Sequence, residues 1–315
     1  MKSGQKVNLR ILETEQRNPA SVDLDSKSCL EIARVINAED AKVAGAVRRS
    51  LPQIAIAMEW AVSALEKGGR LIYVGTGTSG RIAALDAAEC PPTFDTDPRM
   101  VQFVIAGGTK ALAEATEADE DSRKLGRQAI AKQKPRRNDV VIGVAASGRT
   151  PFTIAAIEYA RSQGAKTVAV VSNRNSPLEK VADLTIVAEV GPEVVAGSTR
   201  MKAGTAQKMI LNMLTTGAMT RLGYVYGNLM VNLHLKNSKL AERGVNILEE
   251  ACGIGRSEAR KLLKTARNHV PVALVMAKSR VPRAKAVQIL TTARGNVRSA
   301  IKIAEALQTP KGLAK

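Results

Sequence analysis

The chain has 315 residues, 45% of them hydrophobic, enough for one large α/β domain with a smaller appendage. Its three cysteines (Cys29, Cys90, Cys252) and two histidines (His234, His269) are few and far apart, which argues against a disulfide framework, a zinc site or His-based chemistry, so acid–base work falls to carboxylates or lysines. The formal net charge of +18 invites a nucleic-acid partner, but aromatics are only 3% and no basic stretch is interleaved with them, so the surplus reads as a solvated basic surface.

The opening Met1-Lys-Ser-Gly-Gln-Lys-Val7 is too polar for a secretory signal, and no window approaches twenty apolar residues, so a soluble cytoplasmic protein without a membrane partner is expected. Thr14 to Ser21 is polar and turn-rich. Apolar spacing then predicts two helices between Ser28 and about Leu65, with Ile32, Ile36, Val43 and Val47 in one register and Ile54, Met58, Val62 and Leu65 in another. Leu71 to Val74 is an apolar run that ends in Gly75-Thr-Gly-Thr-Ser-Gly80, after which a helical pattern starts. Strand, glycine-rich loop and helix make an anion site: glycines admit a ligand close to the backbone, Thr76, Thr78 and Ser79 offer hydroxyls, and the helix start presents unpaired N–H groups. Glu89 is expected to end that helix, because Pro91 and Pro92 forbid further turns. The loop lacks the Lys-Ser/Thr of a P-loop. It also reads as G-x-G-x-x-G, but Val101 to Ile105 runs into Ala106-Gly-Gly108 without the acidic residue of a dinucleotide site.

A second strand, Val101 to Ile105, precedes a helix predicted from roughly Thr109 to Lys132. Asp139 to Ala145 is a third strand of the continuous apolar kind buried on both faces of a parallel sheet. It leads through Ala146-Ser-Gly-Arg-Thr-Pro151 into another helix. Lys166 to Ser172 and Asp183 to Val187 add a fourth and fifth strand. The alternation specifies an α/β fold, a doubly wound parallel sheet flanked by helices, with its ligand at the carboxyl ends of the strands. From Ser198 to about Lys239 the pattern is helical with breaks at Gly217, Gly223 and Gly227. Residues 241–315, with 15 Lys and Arg against 5 Asp and Glu, read as a small all-α C-terminal domain after a sugar-phosphate-binding domain over residues 1–240.

The two loops and their spacing resemble the SIS family of sugar-phosphate proteins, whose Ser-Gly-x-Thr half is kept in Ser147-Gly-Arg-Thr150. Within it the chain resembles the N-acetylmuramic acid 6-phosphate etherases. Thr14-Glu-Gln-Arg-Asn18, Gly75 to Arg81 with Leu85 to Thr93, Ala145 to Pro151, and Gly197 to Lys208 carry that resemblance, with Glu117 to Ser122 and Gly227 to Val231 beside them. It implies a cytoplasmic enzyme of cell-wall recycling, working without a cofactor and as a homodimer, that splits the lactyl ether of a phosphorylated amino sugar. It carries the catalytic roles onto Glu89 and Glu120, and it is open which of them is the base and which the acid. Asp119 stands where the family more often has Ala, placing a second carboxylate beside Glu120. Ser147, Gly148 and Thr150 with Ser79 and Gly80 are the expected phosphate ligands. Ser198, Arg200, Lys202 and Lys208, at the start of the next helix, are candidates for the rest of the substrate, the three cations as counter-charges for its carboxylate. Glu193 would assist ring opening. A sugar-phosphate-sensing regulator and a sugar-phosphate isomerase are the alternatives on the same fold, and release of D-lactate separates the etherase from both.

Overall fold

The computed structural model describes residues 12–114, 119–233 and 238–308. They divide into two compact units, one of 1–88 with 98–215 and one of 89–97 with 216–315. The composition change at residue 240 therefore falls inside the second unit: the unit boundary lies within a continuous helix that composition does not mark.

The first unit opens with three helices where two were expected: α1 (Cys29–Asp40), α2 (Val43–Arg48) and α3 (Leu51–Glu66). The Ser28 side chain and Glu31 form a capping box at the start of α1. The sheet follows as β1 (Leu71–Gly75), α4 (Gly77–Phe94), β2 (Val101–Ile105), α5 (Arg123–Lys132), β3 (Val140–Val144), α6 (Pro151–Ser162), β4 (Lys166–Val171), α7 (Pro177–Val181), β5 (Leu184–Val187) and α8 (Lys202–Leu222). All five strands are parallel in the order β2-β1-β3-β4-β5. Side chains alternate between the faces. Ile72, Val74, Val141, Ala169 and Val171 pack with Ile130 of α5 and Phe152, Ile157 and Ala160 of α6. From the opposite face, Tyr73 reaches α4. Gly143 is required on the α6 face, because a Cβ there would lie 2.7 Å from Ile157 Cγ1.

Two helix predictions need correction. α4 does not stop at Glu89 but runs through Pro91 and Pro92 to Phe94. Proline's fixed φ is itself helical, so the chain keeps helical angles through both residues although neither has an N–H to donate. The stop comes at Asp95, whose φ is 56°. The helix expected from Thr109 is absent where the chain is described: Gly107 and Gly108 have positive φ, Gly108–Leu112 is a 3-10 turn, and α5 begins only after Ser122, whose hydroxyl accepts the Leu125 N–H at 3.2 Å.

The second unit continues from α8 into a hairpin, β6 (Val225–Tyr226) and β7 (Leu229–Met230), turning at Gly227 with φ 64°. Five helices follow: α9 (Ser238–Cys252), α10 (Arg256–Thr265), α11 (Val270–Ser279), α12 (Arg283–Thr292) and α13 (Val297–Gln308). They share a core that includes Leu248, Leu263, Leu274, Ile289 and Val297. The unit is thus helical among the described residues, with one short hairpin, and Gly217, read as a break, sits inside α8. Among the described residues no helix is long and apolar enough to cross a membrane.

Candidate active site

The order of the sheet reverses between β1 and β3, and Gly75 is paired with Val144 across that point. Both Ser/Thr/Gly loops thus leave adjacent strands side by side. In the first, Gly80 N–H donates to the Thr76 carbonyl at 3.0 Å, making Thr76 the residue before the first turn of α4. The N–H groups of Gly77, Thr78 and Ser79 consequently fall outside the helix's own bonding pattern and form its electropositive end. Gly80 itself serves packing: its N–H is used within the loop, and a Cβ on it would lie 2.5 Å from Ile105 Cγ1.

In the second loop Ser147 Oγ accepts the Arg149 N–H at 3.2 Å, and Gly148 takes φ 64°. A Cβ at Gly148 would stand 2.4 Å from Ser176 Oγ, so the loop lies flush on the start of α7. Thr150 precedes α6 and its hydroxyl caps no backbone group. Ser147 and Thr150 are both half-buried, as are Thr78 and Ser79.

Glu120 is held at both loops. Its carbonyl accepts the Phe152 N–H in the first turn of α6 at 3.0 Å, and its Oε1 lies 3.1 Å from the point where a Cβ on Gly77 would be. A carboxylate is thereby brought to the start of α4, and Gly77, with φ 49°, leaves it the room. Asp119 beside it is half-buried, and Glu117 lies outside the described residues. Glu89 is exposed on α4 and belongs to the second unit. Ser198 is half-buried in the segment before α8, while Arg200 and Lys208 are exposed. Gly204, in the first turn of α8, faces the first turn of α4, where a Cβ would lie 3.5 Å from Thr78 Cγ2.

Two expected site residues have other engagements. Lys202 is 1% exposed and its Nζ lies 2.6 Å from Glu39 Oε2, so it is a buried ion pair rather than a counter-charge open to substrate. Glu193 is fully buried and accepts the N–H groups of Lys202 and Ala203, both at 3.0 Å, as the cap of α8. Burial raises its carboxyl above the usual range, partly offset by those two N–H groups. With both oxygens turned into the helix end, it is not placed as a ring-opening group.

Two buried carboxylates hold structural roles that spacing did not assign. Glu39 accepts from Asn18 Nδ2 at 2.8 Å and pairs with Lys42 as well as Lys202. Burial alone would raise its carboxyl, but these three partners outweigh it and hold it at about 2. Asn18 also donates to the Pro192 carbonyl at 2.9 Å, Ser21 Oγ to that of Val194 at 2.7 Å, and Gly197 N–H to that of Thr14 at 3.0 Å. The Thr14–Asn18 motif is therefore a strap over the segment leading into α8. Asp86 accepts from Tyr73 Oη at 2.7 Å, Asn212 Nδ2 at 2.6 Å and Thr215 Oγ1 at 3.0 Å, joining β1, α4 and α8. Burial raises its carboxyl, against those three donors and Lys208. The clue to Asp86 was a lone acid among Ala83, Ala87 and Cys90 on the buried face of α4. Nothing in the sequence pointed to Glu39.

The family models that match the chain agree with this architecture. Residues 131–217 match the SIS domain, and residues 53–161 match the N-terminal SIS domain of glucokinase regulatory protein. The chain is 47% identical over 292 residues to N-acetylmuramic acid 6-phosphate etherase 1 of Enterococcus faecalis, covering 93% of this chain and 97% of that one. It is 48% identical over 296 residues to the N-acetylmuramic acid 6-phosphate etherase of Aliivibrio fischeri, covering 94% and 99%. Among solved structures, a phosphoheptose isomerase from Francisella tularensis superimposes with TM-score 0.49 at 18% identity, over 62% of this chain and 100% of that one.

Proposed function

The chain belongs to the N-acetylmuramic acid 6-phosphate etherases, and from that membership we propose how its residues carry out the reaction. It is an enzyme of this kind, a carbon–oxygen lyase acting on a sugar phosphate. The identity to etherases over almost the whole length of both chains carries the reading. We place it in the cytoplasm, as a homodimer, in cell-wall recycling.

An alkyl ether resists direct hydrolysis because the alkoxide leaves poorly and the carbon is not polarised. Opening the sugar ring changes this. The free C1 aldehyde acidifies the C2 proton, a base removes it, and the enolate that forms then expels the lactate oxygen from C3. The departing lactate oxygen takes a proton, leaving an α,β-unsaturated aldehyde. Water adds back across the double bond, giving N-acetylglucosamine 6-phosphate and D-lactate. Two acid–base groups are sufficient.

In our assignment Glu120 is the base at C2, and Glu89 protonates the lactate oxygen and then helps deliver water. The phosphate sits between the two loops. Ser79, Ser147 and Thr150 supply hydroxyls, and the first turn of α4 supplies its N–H groups and positive end. Thr76, Thr78, Gly148 and Ser198 shape the loops around it. Arg200 and Lys208 remain as counter-charges for the lactyl carboxylate. The position of Glu120 between two helix starts supports this arrangement, since a base and a phosphate ligand set then share one end of the sheet.

Removal of either glutamate is expected to lower turnover by roughly 10²–10⁴-fold. Solvent deuterium exchange at C2 separates the two roles. Glu89→Gln should stop D-lactate release while exchange persists, and Glu120→Gln should abolish both. Loss of exchange in Glu89→Gln would reverse the assignment.

A further inference from the structure

At the amino end of the sheet, away from both loops, lies a pocket of about 420 Å³. Five-residue strands put it roughly 17 Å from the carboxyl ends. Its walls come from Trp60 and Lys67 of α3 and its end, from Arg137, Asn138 and Asp139 before β3, and from Gly164 and Lys166 at the start of β4. Asp139 is the one acid among the lining residues, and it is already engaged. It is buried, paired with Arg70 at 2.6 Å, and accepts the Arg136 N–H at 3.0 Å.

Around it the chain gathers cations. Arg70 donates to the Lys134 carbonyl at 3.1 Å, Arg136 to that of Gly68 at 2.9 Å, and Asn138 to that of Lys67 at 3.4 Å. These bonds tie the basic run Lys132-Gln-Lys-Pro-Arg-Arg137 to the end of α3. Among the described residues Lys67, Lys134 and Arg137 have no carboxylate within ion-pair distance. Lys166 rests on the Trp60 ring, 4.8 Å from its centroid, which fixes its ammonium at the rim. One solvated cation holds an anion weakly, but several that converge on a concave wall hold a polyvalent one.

We propose that this pocket binds a small oligophosphate, an anion carrying two or more phosphate groups, with Lys67, Arg137 and Lys166 as its ligands. Guanidinium and ammonium together suit phosphate oxygens. The site is separate from the sugar-phosphate loops and independent of the reaction assigned to them.

The chain has one tryptophan, so Trp60 emission reports on this wall alone. The full-length protein is titrated with inorganic tripolyphosphate at low ionic strength, followed by emission and by calorimetry. Saturable binding is expected, with inorganic monophosphate much weaker. Arg137→Gln and Lys67→Gln should each weaken it roughly tenfold, the size of one charge-assisted bond, and leave D-lactate release unchanged. Absence of heat and of an emission change at millimolar tripolyphosphate would overturn the proposal. So would equal affinity in the variants, or tighter binding of a single-stranded oligonucleotide through the same residues.

Discussion

Glu39 and Asp86 are both buried carboxylates of the sheet-bearing unit, yet their surroundings drive them in opposite directions. Glu39 faces two ammonium groups and an amide, and is held ionised down to about 2. Asp86 accepts from a phenol, an amide and a hydroxyl, with the Lys208 charge adding attraction, and burial wins. Both side chains are shielded from solvent, but Asp86 lies under more of the protein, so depth of burial and formal charge among the partners together set the sign. Neutral donors can satisfy a carboxylate's lone pairs without repaying the loss of water around its charge.

The most severe disturbance of this contrast is to strip Glu39 of its buried cation. Lys202→Met should destabilise the protein by about 3–5 kcal/mol in urea unfolding at neutral pH, because a buried charge is left behind. Adding Glu39→Leu should restore much of the loss, since the pair is then replaced by apolar volume. Acid titration comes next. A carboxyl lowered on folding from 4.5 to about 2 contributes stability that is complete above 4.5 and lost as pH falls toward 2. That contribution is about 3 kcal/mol, at 1.4 kcal/mol per unit. Unfolding curves from pH 5 to pH 2 should show it in the wild type and lack it in Glu39→Gln.

Asp86 carries the opposite sign. Its raised carboxyl binds a proton more tightly in the folded state, so its ionisation subtracts stability as pH rises through its titration. Asp86→Ala, which strands three donors, should cost about 1–3 kcal/mol. Asp86→Asn should cost less, and its deficit relative to wild type should shrink as pH rises through that range. A shrinking deficit in acid instead would contradict the burial account. At the small end stands a solvated pair: Arg123→Ala, which removes the bridge to Glu158 where both side chains are about half exposed, should change stability by less than about 1 kcal/mol.

The sheet was legible because strands buried on both faces are continuous apolar runs, and Leu71, Val101 and Lys166 begin strands where the sequence put them. The two loops were legible because Gly, Ser and Thr cluster at strand ends. Helix ends were read less well. Pro91 and Pro92 look like a stop, but proline's backbone angle is helical, and the residue that ends α4 is the left-handed Asp95. The segment from Thr109 looks helical by composition, while the glycines at 107 and 108 have positive φ and α5 begins only after the cap at Ser122.

Within the site, Glu120 was named from resemblance, but its placement against Gly77 depends on the fold and leaves no trace in spacing. Lys202 and Glu193 were misjudged for the same reason. A basic residue at a helix start looks open to substrate until Glu39, 163 positions earlier in the chain, is found in contact with it.

The strap formed by Thr14–Ser21 also sets an order on synthesis. A ribosome delivers Asn18 long before Pro192, its partner 174 positions downstream, so the nascent amino-terminal segment has nothing to fasten to. Until Lys202 emerges from the exit tunnel, Lys42 is the only ammonium partner of Glu39 among the described residues. The sheet can therefore assemble strand by strand during translation, but the unit locks only when its last helix arrives.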